Sequence, residues 1–501
     1  MKNKTGVCRA LLLVGMGLMI PCYLFTAGNT LLSPWPLYDR NRLALCLLTP
    51  LCLLLLLLLG RAAKAKVFET HERAVLLGFA AFYFVIQLVM ASALRFTPVT
   101  DLEQCVTAAR RLAQTGAFGD SERSLIYFGR YPHNMGLVYL LAGIFKAADA
   151  LGADELIAAA LVCGLLFSMG LLCAARLCRR LGGAQAQARA LLLFATCLPF
   201  LYCTSELYTD AFSVAFAPMI VFAFLKARDA GSRKERSLWA LLFAVCTFFG
   251  AQIRFPTIIA AIACLIAALF EKRAKLTALL AAPLALVFAV GGSAVNAANK
   301  ANLGAANIAQ NKLPKLHYIA MGLPVQSDEG YGQYGYGGWL IFSTSFDDPQ
   351  ARDEALRQEV VDRAYTLARH PAQLLSTLSR KNLSTFGRGT FNLNEIFEAD
   401  AHEADNALKQ AVFENGRFNR AYTHLATAMF VAQMALACIA CIQAIRRRDT
   451  RAAPLFLTLL GAFLFLSIWE TRARYFFQFM MILLCAGAMF ETPSTHAAQK
   501  A

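Results

Sequence analysis

The chain has 501 residues, 58% of them hydrophobic, with a mean hydropathy of +0.50 and a formal net charge of +16. The apolar residues gather in repeated runs of roughly 16 to 21, the length that crosses a bilayer, which excludes a soluble globular enzyme. The cations fall in short clusters between those runs, the pattern of cytoplasmic loops and not of a surface for nucleic acid.

In chain order, Lys2, Lys4 and Arg9 precede a run over about 8–27 that resembles a secretory signal but lacks a small-residue cleavage site, so it reads as a retained first helix. A second run, about 42–59, contains the tract Leu53 to Leu59 and is followed by Arg61, Lys64, Lys66 and Arg73. Those cations mark the inner side, so a third helix, about 74–94, runs outward and delivers Asp101 to the exterior. After Asp101, the residues Leu102, Cys105, Val106, Ala109, Leu112 and Ala113 recur at helical spacing opposite Arg110 and Arg111. This pattern predicts a short amphipathic helix on the membrane surface.

Three apolar segments follow, at about 134–149, 156–175 and 188–203. Arg176, Arg179, Arg180 and Arg189 place the loop between the second and third inside, while both ends of the interval must be outside, so one segment does not cross. The first is as short as the third and is introduced by Arg130-Tyr131-Pro132-His133-Asn134. It is expected to lie in or dip into the outer leaflet and to line the site, because non-spanning backbone at that depth is tolerated only against protein or a cavity.

Helices at about 211–226, 237–252, 256–270, 277–295, 424–444, 453–470 and 473–490 then put every cation cluster inside, including Lys226 to Arg236, Lys272 to Lys275 and Arg446 to Arg451. The expected architecture is an all-α polytopic membrane protein of about 12 transmembrane helices with a mixed, mainly helical exterior domain. It divides into a membrane domain over 1–295 with its first exterior loop at 95–133, an exterior domain over 296–423, and C-terminal transmembrane helices over 424–501. Within the exterior domain, Pro349 to Arg369 reads as a charged helix closed by His370-Pro371, with a second helix to about Phe386. The stretch Gly330 to Gly338 offers tyrosine stacking faces between glycines, or serves as a flexible connector. Nearly all of the 15 cysteines lie in apolar runs and none lies in 296–423, so no disulfide organises the exterior.

The exterior polar residues cluster at helix ends on one face: Asp101 and Glu103, Tyr131 and His133, Tyr208 and Asp210, Arg254, then Glu470, Arg472, Arg474 and Tyr475. Each has a plain structural use, Asp210 as a helix cap and the arginines at lipid headgroups. Their shared face favours chemistry. No nucleotide is normally supplied outside such a membrane, and the chain has no Gly-x-x-x-x-Gly-Lys loop, so an activated group must arrive on a lipid carrier. A polyprenyl-phosphate sugar suits these residues, because a leaving phosphate needs cations and an attacking hydroxyl needs a base. Asp101 is the candidate base; Arg254, Arg472 and Arg474 are the phosphate candidates, since arginine donates two parallel hydrogen bonds to phosphate. Asp101, Asp210, Arg254 and Arg472 are expected to face one cavity.

The placement of Asp101, the Tyr131-Pro132-His133-Asn134 segment, Tyr208-Thr209-Asp210, Arg254-Phe255-Pro256 and the Glu470-Thr471-Arg472-Ala473-Arg474-Tyr475 ending resembles the GT-C superfamily of multi-spanning glycosyltransferases. That superfamily includes protein O-mannosyltransferases and lipid A aminoarabinose transferases. Leu316-His317-Tyr318-Ile319-Ala320-Met321-Gly322-Leu323 and Arg380-Lys381-Asn382 resemble exterior-domain motifs of its Gram-positive members. The resemblance implies a catalytic role for Asp101 with inversion at the transferred sugar, and a second acidic role for Asp210 in metal binding or acceptor positioning. The candidate donor-phosphate ligands are Arg254, Arg472, Arg474 and Lys381, and the candidate substrate-binding residues are Glu103, Tyr131, His133, Tyr208, Glu470 and Tyr475. Two extra helices precede the one leading to Asp101, and the paired acids of many members are here Asp101-Leu102-Glu103, which leaves a divalent metal ion open.

The expected partners are the lipid bilayer, a polyprenyl-phosphate sugar, and a cell-envelope glycan, lipid or protein acceptor, with the active site on the extracytoplasmic face of a cell membrane crossed many times. A polymerase or ligase of surface glycans using diphosphate-linked donors shares this chemistry. A lipid-linked-sugar transporter or flippase calls for mid-span charges and repeated halves, which the sequence does not display.

Overall fold

The computed structural model describes residues 2–491 apart from 36, 38–40, 64, 95–96, 120, 327–328, 394–406 and 413–415. Three stretches of the expected exterior domain, 327–328, 394–406 and 413–415, and the tail beyond 491 lie outside the described residues. Among the described residues every regular element is helical, and eight helices are long and apolar enough to cross a membrane.

The chain opens with α1 (Lys2–Leu32), α2 (Arg42–Ala62) and α3 (Glu72–Ala93). On α2 the side chains of Leu43, Leu47, Leu51, Leu54 and Leu58 form an exposed apolar stripe, which water would not tolerate and lipid chains solvate. Next come α4 (Thr100–Thr115), α5 (Glu122–Arg130), α6 (Met135–Ala150) and α7 (Glu155–Ala195). The helix α7 is broken at Gly182 and Gly183, where Gly183 takes φ 73, a conformation that favours glycine. This break falls among Arg176, Arg179, Arg180 and Arg189, at the inner loop expected from their charge.

A short turn of helix, Thr209–Ser213, leads into α8 (Phe216–Asp229), and α9 (Arg233–Ile253), α10 (Ile258–Phe270) and α11 (Ala274–Leu303) follow. The helix α11 continues past residue 295 and carries an outward-facing apolar surface along most of its length. The part expected to be exterior holds α12 (Lys315–Met321), α13 (Pro349–Arg369) and α14 (Pro371–Phe386), the last two with the boundaries expected from Pro349, His370-Pro371 and Phe386. The chain returns through α15 (Asn419–Arg446), α16 (Ala453–Ile468) and α17 (Met480–Ala488).

The segment Thr209–Asp229 and α15 are the most deeply buried of the long helices, and α7 packs against α3, α6, α8 and α17 around them. Polar contacts sort the helix ends into two groups. At one end, Gln185 donates to the Ala63 carbonyl (2.7 Å), Arg179 pairs with Glu72 (3.4 Å), Arg180 with Asp229 (3.2 Å), Arg228 with Glu271 (3.8 Å), and Arg447 with Glu491. These ties join α2, α3, the break in α7, α8, α10, α15 and α17, the ends that loop charge assigns to the inner side. The opposite end carries Asp101, Asp210, Arg254 and Glu470.

Both ends of α6 lie at that opposite end. Gly136 sits so close to the Gln252 carbonyl, at the end of α9, that a Cβ there would be 2.2 Å from its oxygen. Four residues after α6 stops, Glu155 opens α7 and pairs with Arg110 of α4. A helix that starts and stops at one end of the bundle does not cross it.

Candidate active site

Asp101 and Glu103 stand in the first turn of α4, where the unpaired N–H groups of a helix start favour carboxylates. The apolar face of α4, Leu102, Cys105, Val106, Ala108 and Ala109, is buried, and α4 packs on α6. That packing turns Asp101 the other way, onto the wall of an open cavity of about 670 Å³ lined also by Glu103, Glu122, Arg123, Arg130 and Tyr131.

The carboxylate is held from two sides. Tyr127 of α5 donates to Asp101 Oδ1 (2.8 Å), and the Asn134 amide donates to the Tyr127 hydroxyl (3.0 Å). Tyr208 reaches Asp101 Oδ2 at 3.5 Å. Burial, together with nearby anions including Asp101, pushes both phenols well above their ordinary titration range, so they stay protonated as donors. Immediately before Asp101 and Tyr208 stand Thr100 (φ 52) and Leu207 (φ 49), side chains that ordinarily avoid the left-handed region. Backbone strain of this sort costs on the order of 1–3 kcal/mol per residue and survives where the surroundings over-determine it.

Behind this wall lies a sealed cluster. Asp210, wholly buried, forms ion pairs with Arg254 (3.1 Å) and Arg474 (3.5 Å), whose side chains are each 12% exposed. Arg254 also donates to Thr209 (2.7 Å) and lies over the Tyr475 ring (4.4 Å), while Arg474 lies over the Tyr208 ring (5.4 Å). Tyr475 donates to Glu470, whose carboxyl is raised by burial against the pull of Arg472, Arg474 and Arg254. Tyr208 thus touches both Asp101 and Arg474 and joins the two groups.

Of Asp101, Asp210, Arg254 and Arg472, expected to face one cavity, Asp101 is on the wall of the cavity described above, whereas Asp210 is buried against Arg254. The reason is that Asp210 opens one of the most deeply buried helical segments, so its charge is neutralised inside the protein. Glu103 and Tyr131 join Asp101 on the wall. His133, exposed, has its ring between those of Tyr131 (6.1 Å) and Tyr318 (6.3 Å). Arg472 donates to the Tyr334 carbonyl (3.2 Å), and Tyr334 meets Tyr131 through their hydroxyls. Lys381 is apart: its buried ammonium donates to the carbonyls of Gly322 and Trp469 (2.7 Å), and burial lowers its pKa to about 7.

Three residues on or at the cavity carry more of its chemistry than sequence reasoning assigned them. Arg123 and Arg130 are the cations on the wall, and the Arg130 Nε is buried with no hydrogen-bond partner. Tyr127 holds Asp101. All three belong to α5, a nine-residue helix whose apolar run is only Leu125 to Phe128. The available signal was the Tyr127, Tyr131 spacing, one helical turn, which puts the two rings 5.1 Å apart. Among the described residues no group of three or more histidine, cysteine or acidic side chains is placed to hold a metal ion.

Residues 371–495, from α14 through α17, match a family described as "Conserved hypothetical integral membrane protein". No curated protein matches the chain. Among solved structures, the crystal structure of ArnT from Cupriavidus metallidurans bound to undecaprenyl phosphate is similar at 13% identity, over 84% of this chain and 78% of that one, with a TM-score of 0.35.

Proposed function

We propose that this multi-pass membrane protein is a GT-C-like glycosyltransferase that moves a sugar from a polyprenyl-phosphate donor to an acceptor hydroxyl at the outer membrane face. The observation that carries this reading is the Asp101 carboxylate, held by Tyr127 and opening onto a cavity walled by Arg123 and Arg130. A base and two cations on one wall suit a reaction that deprotonates a nucleophile while expelling an anion.

The eight long apolar helices, the break in α7 counted as a further crossing, and the three shorter apolar helices together support twelve crossings, with α6 lying along the site end. Positive loops at the opposite end support an outward-facing site.

In the proposed step the acceptor hydroxyl gives its proton to Asp101 as its oxygen forms the new bond to the anomeric carbon. The bond from that carbon to the phosphate oxygen breaks, and polyprenyl phosphate leaves with the electron pair. Arg123 and Arg130 take the phosphate; Arg254 and Arg474 add positive potential from behind and hold Tyr208 against Asp101. Attack opposite the phosphate inverts the sugar. Glu103 and Tyr131 contact substrate from the same wall, and Lys381 serves the packing of α14 instead of the phosphate. A divalent ion at Asp101 and Glu103 would have to draw most of its ligands from substrate and water, as magnesium sites often do.

The test is reconstitution of the full chain in vesicles with a panel of polyprenyl-phosphate sugars, following release of polyprenyl phosphate. Sugar-dependent release that Asp101→Asn abolishes is expected. Full release by that variant would remove Asp101 as the base.

A further inference from the structure

Two buried polar groups, on Glu470 and Tyr318, are not used by the proposed step. Glu470 is 7% exposed; one carboxyl oxygen takes the Tyr475 hydroxyl, and Oε2 is buried with no hydrogen-bond partner. The Tyr318 hydroxyl is likewise buried and without a partner. Its ring stacks on Trp469, the residue before Glu470, with centroids 5.1 Å apart and planes 15° from parallel. Among charged neighbours, Glu470 acts on the Tyr318 phenol most strongly. Native proteins rarely bury such atoms unpaired, because each loses its water without compensation.

The loop Gly330 to Gly338 closes over this place. The Thr471 amide donates to the Gly332 carbonyl (2.9 Å), the Thr471 hydroxyl to the Tyr331 carbonyl (2.9 Å), and Arg472 to the Tyr334 carbonyl (3.2 Å), so the loop is tied to the two residues after Glu470. Tyr334 then reaches Tyr131 on the cavity wall. Gly332 (φ 77) and Gly335 (φ 96) adopt backbone that a side chain would strain, which lets so short a loop fold back.

We infer that Glu470 Oε2 and the Tyr318 hydroxyl form a subsite for a hydroxyl of a carbohydrate ring, roofed by the Gly330 to Gly338 loop. One ligand hydroxyl satisfies both atoms, donating to the carboxylate and accepting from the phenol. The surrounding phenols of Tyr131 and Tyr334 and the stacked rings of Tyr318 and Trp469 suit a polyhydroxylated ring and not a simple alcohol. The identity of the ligand as a sugar rests on the transferase reading above; the two unpaired atoms do not.

Hydrogen exchange of the loop amides in the full chain tests this. The probes are polyprenyl phosphate alone, a panel of polyprenyl-phosphate hexoses and pentoses, and the methyl glycosides of the same sugars. A sugar-bearing probe is expected to slow exchange across 330–338 by about tenfold, beyond any effect of polyprenyl phosphate. Glu470→Gln and Tyr318→Phe, both shape-conserving, are expected to remove that protection. Protection by methyl glycosides assigns the subsite to the acceptor, and protection by lipid-linked sugars alone assigns it to the donor. The inference is overturned if no sugar protects the loop, if polyprenyl phosphate alone protects it equally, or if both variants respond as wild type. Asp101→Asn keeps the protection while losing transfer. Sugar-dependent protection in a wild-type chain that transfers from no donor retains the subsite and removes the transferase reading.

Discussion

Asp101 and Asp210 are the same residue in two settings about one tyrosine apart. Asp101 is partly exposed at a cavity and held by phenols. Asp210 has no exposed surface and is held by two guanidinium groups. A carboxylate among phenols on a cavity wall has room for a second molecule. A carboxylate between two arginines is paired inside the protein and holds the bundle end together. Burial and partners, not residue type, separate chemistry from framework here.

The largest contrast is expected between substitutions of these two residues. Asp101→Asn should reduce sugar transfer by roughly 10²- to 10⁴-fold, the usual worth of a general base, with an unchanged thermal midpoint in detergent. An equal loss of thermal stability would show that Asp101 is framework too. Asp210→Asn should instead lower stability by about 3–5 kcal/mol, because breaking a buried pair leaves its cations uncompensated. A variant that melts like wild type but transfers nothing would move Asp210 to the chemical side.

Lys381 sharpens the framework side through pH. Its folded pKa is about 7 against an ordinary 10.5. Between those values the unfolded chain binds the proton and the folded one does not, so stability should rise with pH across that window and be lowest below pH 7. Lys381→Met should flatten the rise in melting temperature; an unchanged slope would assign it to another group.

Smaller effects probe the phenols and the surface. Tyr127→Phe removes one hydrogen bond to a charged group and should cost transfer roughly tenfold with little change in melting. No loss would mean that Tyr208 alone holds Asp101. Arg110→Ala, which breaks an exposed pair with Glu155, should change stability by at most about 1 kcal/mol in a denaturation series.

Much of this arrangement is legible in the sequence. Apolar run length reveals the spans, and cation clusters reveal the break in α7, because both reflect the cost of placing groups in lipid. Pro349, His370-Pro371 and the charged stretch between them delimit α13. The nine residues of α5 were not legible, since so short a helix has no period to detect and is held by contacts such as Asn307 to the Leu125 carbonyl (2.8 Å), 182 residues away. Nor does a sequence reveal that Asp210 and Asp101 differ in burial. Both follow apolar or aromatic stretches, and only the packing of the bundle separates them.

The hydrogen bond from Thr471 to Tyr331 joins residues 140 apart, and that between Tyr208 and Asp101 joins residues 107 apart. During synthesis, Asp101 and Tyr127 therefore leave the ribosome well before Tyr208, and long before Thr471 and Arg474. A truncation before α16 would remove one of the two arginines paired with Asp210 and the ties that hold the Gly330 to Gly338 loop at Thr471 and Arg472.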